Sequence, residues 1–322
     1  MPPPTLFKTI LCPVDFSEHS RQALRYAALL VSRNKGRLVV IFVEDPMLIA
    51  AAAVEYDEKA IVDKSRTALR RFVERAIAPY GLRLDSVTLD VAVGRPHKEI
   101  AWTAERLHCG LIVMGSHGLS GATRVMLGST THRVLRHSSL PVLAIPPVKG
   151  RATGPSRHWP GKLALAPVDL GARDRIDALA AAVVARELGV PLQLVHVVEP
   201  IEELPWLEVD ATRRNLQRSR RALAHLTNLK DDLAWAVTDC IVESGKPADR
   251  IAARASSGKV GLVVMTRRRG QGLFGPRLGS ISYEVLRKAR TPVLALPSDK
   301  QWIRSAVSLR PTPTSTKTER SV

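Results

Sequence analysis

The chain has 322 residues, 45% of them apolar, 24% charged and only 4% aromatic, with a formal net charge of +18. At roughly 150 residues per domain this length suggests two domains, and the apolar fraction excludes wholesale disorder. An interior drawn from Leu, Val, Ile and Ala suits helices layered on a parallel sheet better than an aromatic-rich β-sandwich.

The opening residues MPPPTLFKTI carry no basic stretch ahead of a long apolar run. No apolar run approaches the roughly 18 residues a membrane span requires, so a cytoplasmic protein without membrane partners is expected. Cys12, Cys109 and Cys240 stand far apart without CxxC or histidine spacing, which predicts reduced thiols rather than a disulfide framework or a zinc site. The positive charge is spread, with 20 Lys plus Arg against 13 Asp plus Glu in residues 1–150 and 28 against 17 in the remainder. Its densest run, Arg213, Arg214, Arg218, Arg220 and Arg221, reads as the solvated face of a helix, so a specific nucleic-acid partner is not expected.

Taken in chain order, Thr9 to Val14 is a short apolar strand closed by Asp15. Leu24, Ala27, Ala28 and Val31 recur at helical spacing, with Ser17 as N-cap and Gly36 beyond the end. Leu38 to Val43 is a β-branched strand bounded by Glu44, Asp45 and Pro46, and a long helix through Leu69, Phe72, Val73, Ala76 and Ile77 stops at Gly81. Val87, Leu89, Val91 and Val93 alternate as a third strand. Pro96 then opens a helix through Ile100, Ala101, Ala104 and Leu107. Leu111 to Met114 is a buried strand, Ser129 to His137 a fourth helix and Val142 to Ile145 a last strand.

The order then repeats. KTILCPVDFS at 8–17 returns as KLALAPVDLG at 162–171, RLVVIFVEDP at 37–46 as LQLVHVVEPI at 192–201, and PVLAIP at 141–146 as PVLALP at 292–297. Between residues 94–146 and 245–297 a constant offset of 151 gives about 21 identities without a gap. The expected architecture is two tandem doubly wound α/β domains, each with a five-stranded parallel sheet. Their expected bounds are 1–147 and 162–297, with a Pro- and Gly-bearing linker at 148–161 and a disordered tail at 298–322.

In such sheets a ligand sits outside the carboxyl ends of the strands, where strand order reverses. There the first strand carries Cys12-Pro13-Val14-Asp15 and the fourth Met114-Gly115-Ser116-His117-Gly118. After nine intervening residues comes Gly128-Ser129-Thr130-Thr131, opening a helix. Glycines let backbone amides approach an anion closely, and a helix start supplies unpaired N–H groups and a favourable dipole end. Hydroxyls replace the lysine of the GxxxxGK[ST] loop, so this is a different phosphate cradle. Asp15 serves equally well as a cap for the following helix or as a ligand contact, and His117, read as an exposed loop residue, is more readily a polar bystander than a contact.

With the PVD strand end, the LIVM strand, G-x-x-G, the nine-residue gap, G-S and PVLAIP, residues 5–297 resemble the universal stress protein family, of the tandem type. The resemblance implies a Rossmann-like, adenine nucleotide alpha hydrolase-like fold, and members that bind nucleotide hold ATP at this motif. The resemblance implies that Pro13, Val14 and Asp15 border the adenosine and that the Val43 backbone touches the adenine. It further implies that Met114, Gly115, His117 and Gly118 surround ribose and phosphates, and that Gly128, Ser129, Thr130 and Thr131 hold the phosphate chain. It also suggests that the two halves pair as an internal pseudo-dimer through PVLAIP and PVLALP, with a further homodimer of whole chains left open.

In the second copy Gly115 becomes Thr266 and Gly118 becomes Arg269, within Thr266-Arg267-Arg268-Arg269, although Asp169 and Gly279-Ser280 remain. These side chains are expected to occupy the place of the phosphates, so that half should bind ATP poorly and serve as a structural partner; a different anion site at Arg267 to Arg269 is the rival reading. Asp15 is the sole acidic side chain near the motif, so no catalytic residues or metal ligands are assigned. The expectation is an ATP-binding regulator, with or without Mg2+, and with slow or no hydrolysis. A nucleotide-independent scaffold is the alternative, and a nucleotidyl transferase or flavoprotein-like enzyme ranks last.

Overall fold

The computed structural model describes residues 6–52, 57–117, 126–147, 154–201, 210–267, 269–272 and 275–308. Gly118, Arg268, residues 148–153 of the linker and the end of the tail lie outside them. The amino-terminal half runs β1 (Thr9–Val14), α1 (Glu18–Asn34), β2 (Arg37–Glu44), α2 (Pro46–Ala52), α3 (Glu58–Ile77), β3 (Val87–Val93), α4 (Pro96–Arg106), β4 (Leu111–Gly115), α5 (Ser129–His137) and β5 (Val142–Ile145). The carboxy-terminal half runs β6 (Ala164–Pro167), α6 (Asp174–Glu187), β7 (Leu192–Val198), α7 (Ala211–Asp232), β8 (Val237–Ser244), α8 (Pro247–Ala255) and β9 (Leu262–Arg267). It continues through β10 (Arg269–Gly272), β11 (Gly275–Leu278), α9 (Ser280–Lys288), β12 (Val293–Pro297) and α10 (Lys300–Val307).

The two five-stranded sheets join into one, in the order β3-β2-β1-β4-β5-β12-β9-β6-β7-β8. Every pairing in it is parallel except β5 with β12, where Val293 faces Ala144, Leu294 faces Leu143 and Ala295 faces Val142. The strands named PVLAIP and PVLALP are therefore the seam between the halves. Strand residues alternate between faces, so Ile10, Cys12 and Val14 of β1 enter one apolar layer with α1, α3, α6 and α7, while Leu11 enters another with α4, α5, α8 and α9. Each layer runs across both halves. Among the described residues no helix is long and apolar enough to cross a membrane.

Two segments depart from the sequence expectation. Residues 300–307, expected to be disordered, form α10 against α6, burying Ile303 and Ala306 and packing Trp302 on the core. Trp302, Ile303 and Ala306 share one helical face, a pattern hidden when the whole Pro-, Ser- and Thr-rich tail is averaged. The end of the linker is also built into the structure. Trp159 is buried, its Nε1 donates to Gly261 O at 2.8 Å, its ring meets Tyr26 edge-on at 5.0 Å, and Arg33 donates to its carbonyl at 2.5 Å.

Candidate functional site

β1 has β2 on one side and β4 on the other, so the chain leaves these strands in opposite directions and a crevice opens at their carboxyl ends. A cavity of about 280 Å³ occupies it. Pro13, Val14 and Asp15 line it from the end of β1, Val43 from β2, and Met114, Gly115 and His117 from the end of β4. Gly128, Ser129, Thr130 and Thr131 line it from the start of α5. Eleven of the twelve residues singled out in the sequence thus surround one cavity; Gly118 lies outside the described residues. Sequence reasoning missed Ile41, Phe42, Ser20, Pro96 and Ile100. The first two sit beside Val43 at a strand end and were within reach of the same rule. Ser20, Pro96 and Ile100 come from helices whose approach to the crevice only the packing reveals.

The turn after β1 is tight. Phe16 takes φ 62°, a left-handed conformation that costs a residue with a side chain about 1–2 kcal/mol. Phe42 and Phe72 hold its ring at centroid distances of 4.5 and 5.4 Å. The turn brings Ser17 N and Oγ onto Asp15 Oδ1 at 3.1 and 2.5 Å, and Ser17 Oγ in turn accepts from Ser20 N at 3.1 Å as the cap of α1. The capping role thus belongs to Ser17, with Asp15 buttressing it from the cavity wall.

Gly115 owes its identity to crowding. A Cβ there would lie 3.0 Å from His117 O and 3.3 Å from the carbonyl of His19, backbone groups that would have to give by a few tenths of an ångström. Its own carbonyl accepts from the buried Thr131 hydroxyl at 2.7 Å, which ties the start of α5 to β4. The resemblance assigns that hydroxyl to the phosphate chain; the helix uses its proton to hold itself in place. Gly128 fills the cap position of α5 and supplies no side-chain cap, so the first-turn amides keep their donors and the positive dipole end for a ligand. His117 is buried, with Nδ1 2.8 Å from Ser116 Oγ and Nε2 without a partner among the described residues. Burial, then the neighbouring His19 ring 6.4 Å away, holds its pKa below the ordinary value, so the imidazole is neutral at pH 7. Among the described residues no group of three or more His, Cys, Asp or Glu side chains is arranged to hold a metal.

The matching crevice in the other half is open, with a volume of about 450 Å³, and its lining includes Asp169, Asp177, Glu199, His196, Arg218 and Thr266. Of the arginines expected to fill it, Arg267 is not part of that lining. That expectation treats the run from Thr266 as one cluster, but Thr266 and Arg267 end β9, so their side chains point to opposite faces. Thr266 lines the crevice and Arg267 turns into the seam. Arg268 and the Arg269 side chain lie outside the described residues.

A model of the universal stress protein family matches residues 6–146 and 163–297, one match on each half. The chain belongs to that family. It is similar over 300 residues to a universal stress protein of Mycolicibacterium smegmatis, at 25% identity across 89% of this chain and 96% of the relative. Universal stress protein MJ0577 of Methanocaldococcus jannaschii is 27% identical over 154 residues, 44% of this chain and 95% of the relative. The crystal structure of a universal stress protein from Archaeoglobus fulgidus superimposes with a TM-score of 0.61, covering 92% of this chain and 99% of that one at 21% identity. The likeness extends across both universal stress protein domains.

Proposed function

We propose that the amino-terminal half binds ATP and that the chain is a nucleotide-dependent regulator of a stress response, with slow or no hydrolysis. The observation that carries this reading is the first turn of α5, without a side-chain cap from Gly128 and facing a crevice beside Gly115, where backbone donors and a helix dipole converge. Val14, Ile41, Val43, Ile100 and Met114 give the same cavity apolar walls suited to a purine ring.

Turnover needs more than this. Phosphoryl transfer relies on a positioned nucleophile and on cations that neutralise charge at the transferring phosphate. Among the described residues Asp15 is the one carboxylate lining the cavity, and Ser17 engages its Oδ1. A Mg2+ ion would rest on phosphate oxygens and the Ser129 hydroxyl. In the carboxy-terminal half, Asp169, Asp177 and Glu199 against Arg218 make the crevice a poor host for a triphosphate, so that half serves as a structural partner.

Calorimetric titration of the purified chain with ATP tests the reading. Gly115→Thr, which installs the residue of the second copy, and Gly128→Val should each weaken binding by about tenfold or more. Unchanged affinity in both variants, or no binding by the unaltered chain, overturns it. A nucleotide-independent scaffold is the second reading, favoured by the unbroken sheet across the halves; it predicts that no adenine nucleotide is released when the purified protein is denatured.

A further inference from the structure

Arg267 is the bulkiest side chain with no exposed surface. It ends β9 in the carboxy-terminal half, yet its guanidinium donates to the carbonyls of Leu135, of Ser138 at 3.1 Å and of Leu140 at 2.8 Å, all in the amino-terminal half. Leu135 lies in the last turn of α5, where carbonyls have no partner within the helix, and Ser138 is the capping residue of that end. A buried cation therefore sits at the negative end of the helix whose opposite end opens the candidate site. With nine residues, α5 is about 14 Å long. Its front is tied to β4 by Thr131, and β11 of the other half contacts its flank. Under the 151-residue offset the counterpart of Arg267 is Ser116, too short to reach across. The brace runs one way.

We propose that Arg267 is a positioning residue for the amino-terminal site, supplied by the other half of the chain. It fixes the carboxyl end of α5 and neutralises its negative pole, so that the amides of the first turn are presented to a phosphate-bearing ligand as a fixed positive end. This deepens the ATP-binding reading and rests on it. It also assigns the second half a task in the first half's chemistry. The effect should fall on the phosphates, because α5 contributes nothing to the apolar walls suited to the base.

The test uses the full chain with Arg267→Met and Arg267→Lys, titrated in parallel with ATP and adenosine, together with amide hydrogen exchange of α5 in ligand-free protein. Arg267→Met should weaken ATP by about tenfold while leaving adenosine within about twofold, and should speed exchange along α5. Arg267→Lys keeps the charge and should recover about half of the loss on a logarithmic scale. Equal losses for ATP and adenosine, or unchanged ATP affinity, overturn the proposal. If the unaltered chain binds neither ligand, the ATP reading fails on its own, and exchange decides the brace: faster exchange at the hydrogen-bonded amides from His132 to Ser138 in Arg267→Met supports it, and unchanged protection overturns it. Should Arg267→Met fail to fold, the same comparison is read from Arg267→Lys, where an ATP-selective loss supports the proposal and its absence overturns it.

Discussion

His97, His117 and His132 surround the start of α4, the end of β4 and the first turns of α5, and all three titrate below the ordinary histidine value, with burial the largest cause in each. For His117 the next cause is His19. For His132 it is Arg136, His137 and Arg133, and for His97 it is Arg133, His137, Lys98 and Arg95. In the unfolded chain these imidazoles take up protons near pH 6.5, whereas in the folded chain they do so only at lower pH. Their contribution to stability is therefore complete above about pH 6.5 and declines as pH falls through the folded-state values. Glu187, raised above the ordinary carboxyl value by burial, works in the opposite sense. Melting temperature should thus fall between pH 7 and pH 5.5, and His117→Gln should flatten that slope while leaving the Glu187 contribution in place. An identical slope in the variant would show that the His117 ring gains its proton as readily folded as unfolded. At this scale the candidate site was largely legible in sequence, because Asp15, Gly115 and Gly128 sit at strand and helix ends that local pattern reveals. The fate of the Thr131 hydroxyl was not, since Gly115 O reaches it only through the packing of α5 on β4.

Helices and strands were legible for a related reason: each carries its own apolar period, from Leu24 to Val31 in α1 and from Leu38 to Val43 in β2. What escaped were pieces whose partners lie far along the chain. Trp159 looks like linker until Tyr26, Arg33 and Gly261 close around it. Arg267 looks like part of a basic cluster until strand alternation points it at Leu135. The segment at Trp159 therefore acts as a staple between α1 and the approach to β9, and it leaves no room at Gly261. A Cβ there would fall 1.6 Å from Pro160 O and 2.6 Å from its carbonyl carbon. Backbone against backbone cannot be relieved by a rotamer change, so Gly261→Ala should cost about 3 kcal/mol or more, at the upper end of overpacking. Gly171, where an added methyl group would meet nothing within 4 Å, is the matched control, and Gly171→Ala should leave the urea midpoint nearly unchanged. Equal midpoints for the two variants would mean that the 154–161 segment yields easily and staples nothing.

At the scale of the whole molecule, the seam decides whether either half is a unit. β5 is buried along its full length and β12 likewise, which an edge strand exposed to water would not tolerate. The antiparallel pairing of residues 142–144 with 293–295 satisfies those backbones, and the apolar layers continue across it, one of them holding residues of both α1 and α6 together with Trp159. Leu6 N donating to Glu187 Oε1 at 3.0 Å and Arg267 at the end of α5 add polar ties on either side. Cutting the chain between the halves removes all of these at once and bares one apolar strand edge per fragment. Residues 1–150 expressed alone should therefore associate with a second copy through β5 or aggregate, and should melt below the full chain; sedimentation and thermal unfolding read both effects. A soluble monomer as stable as the parent would mean that the sheet's continuity contributes nothing, and that the second half neither completes the core of the first nor steadies α5.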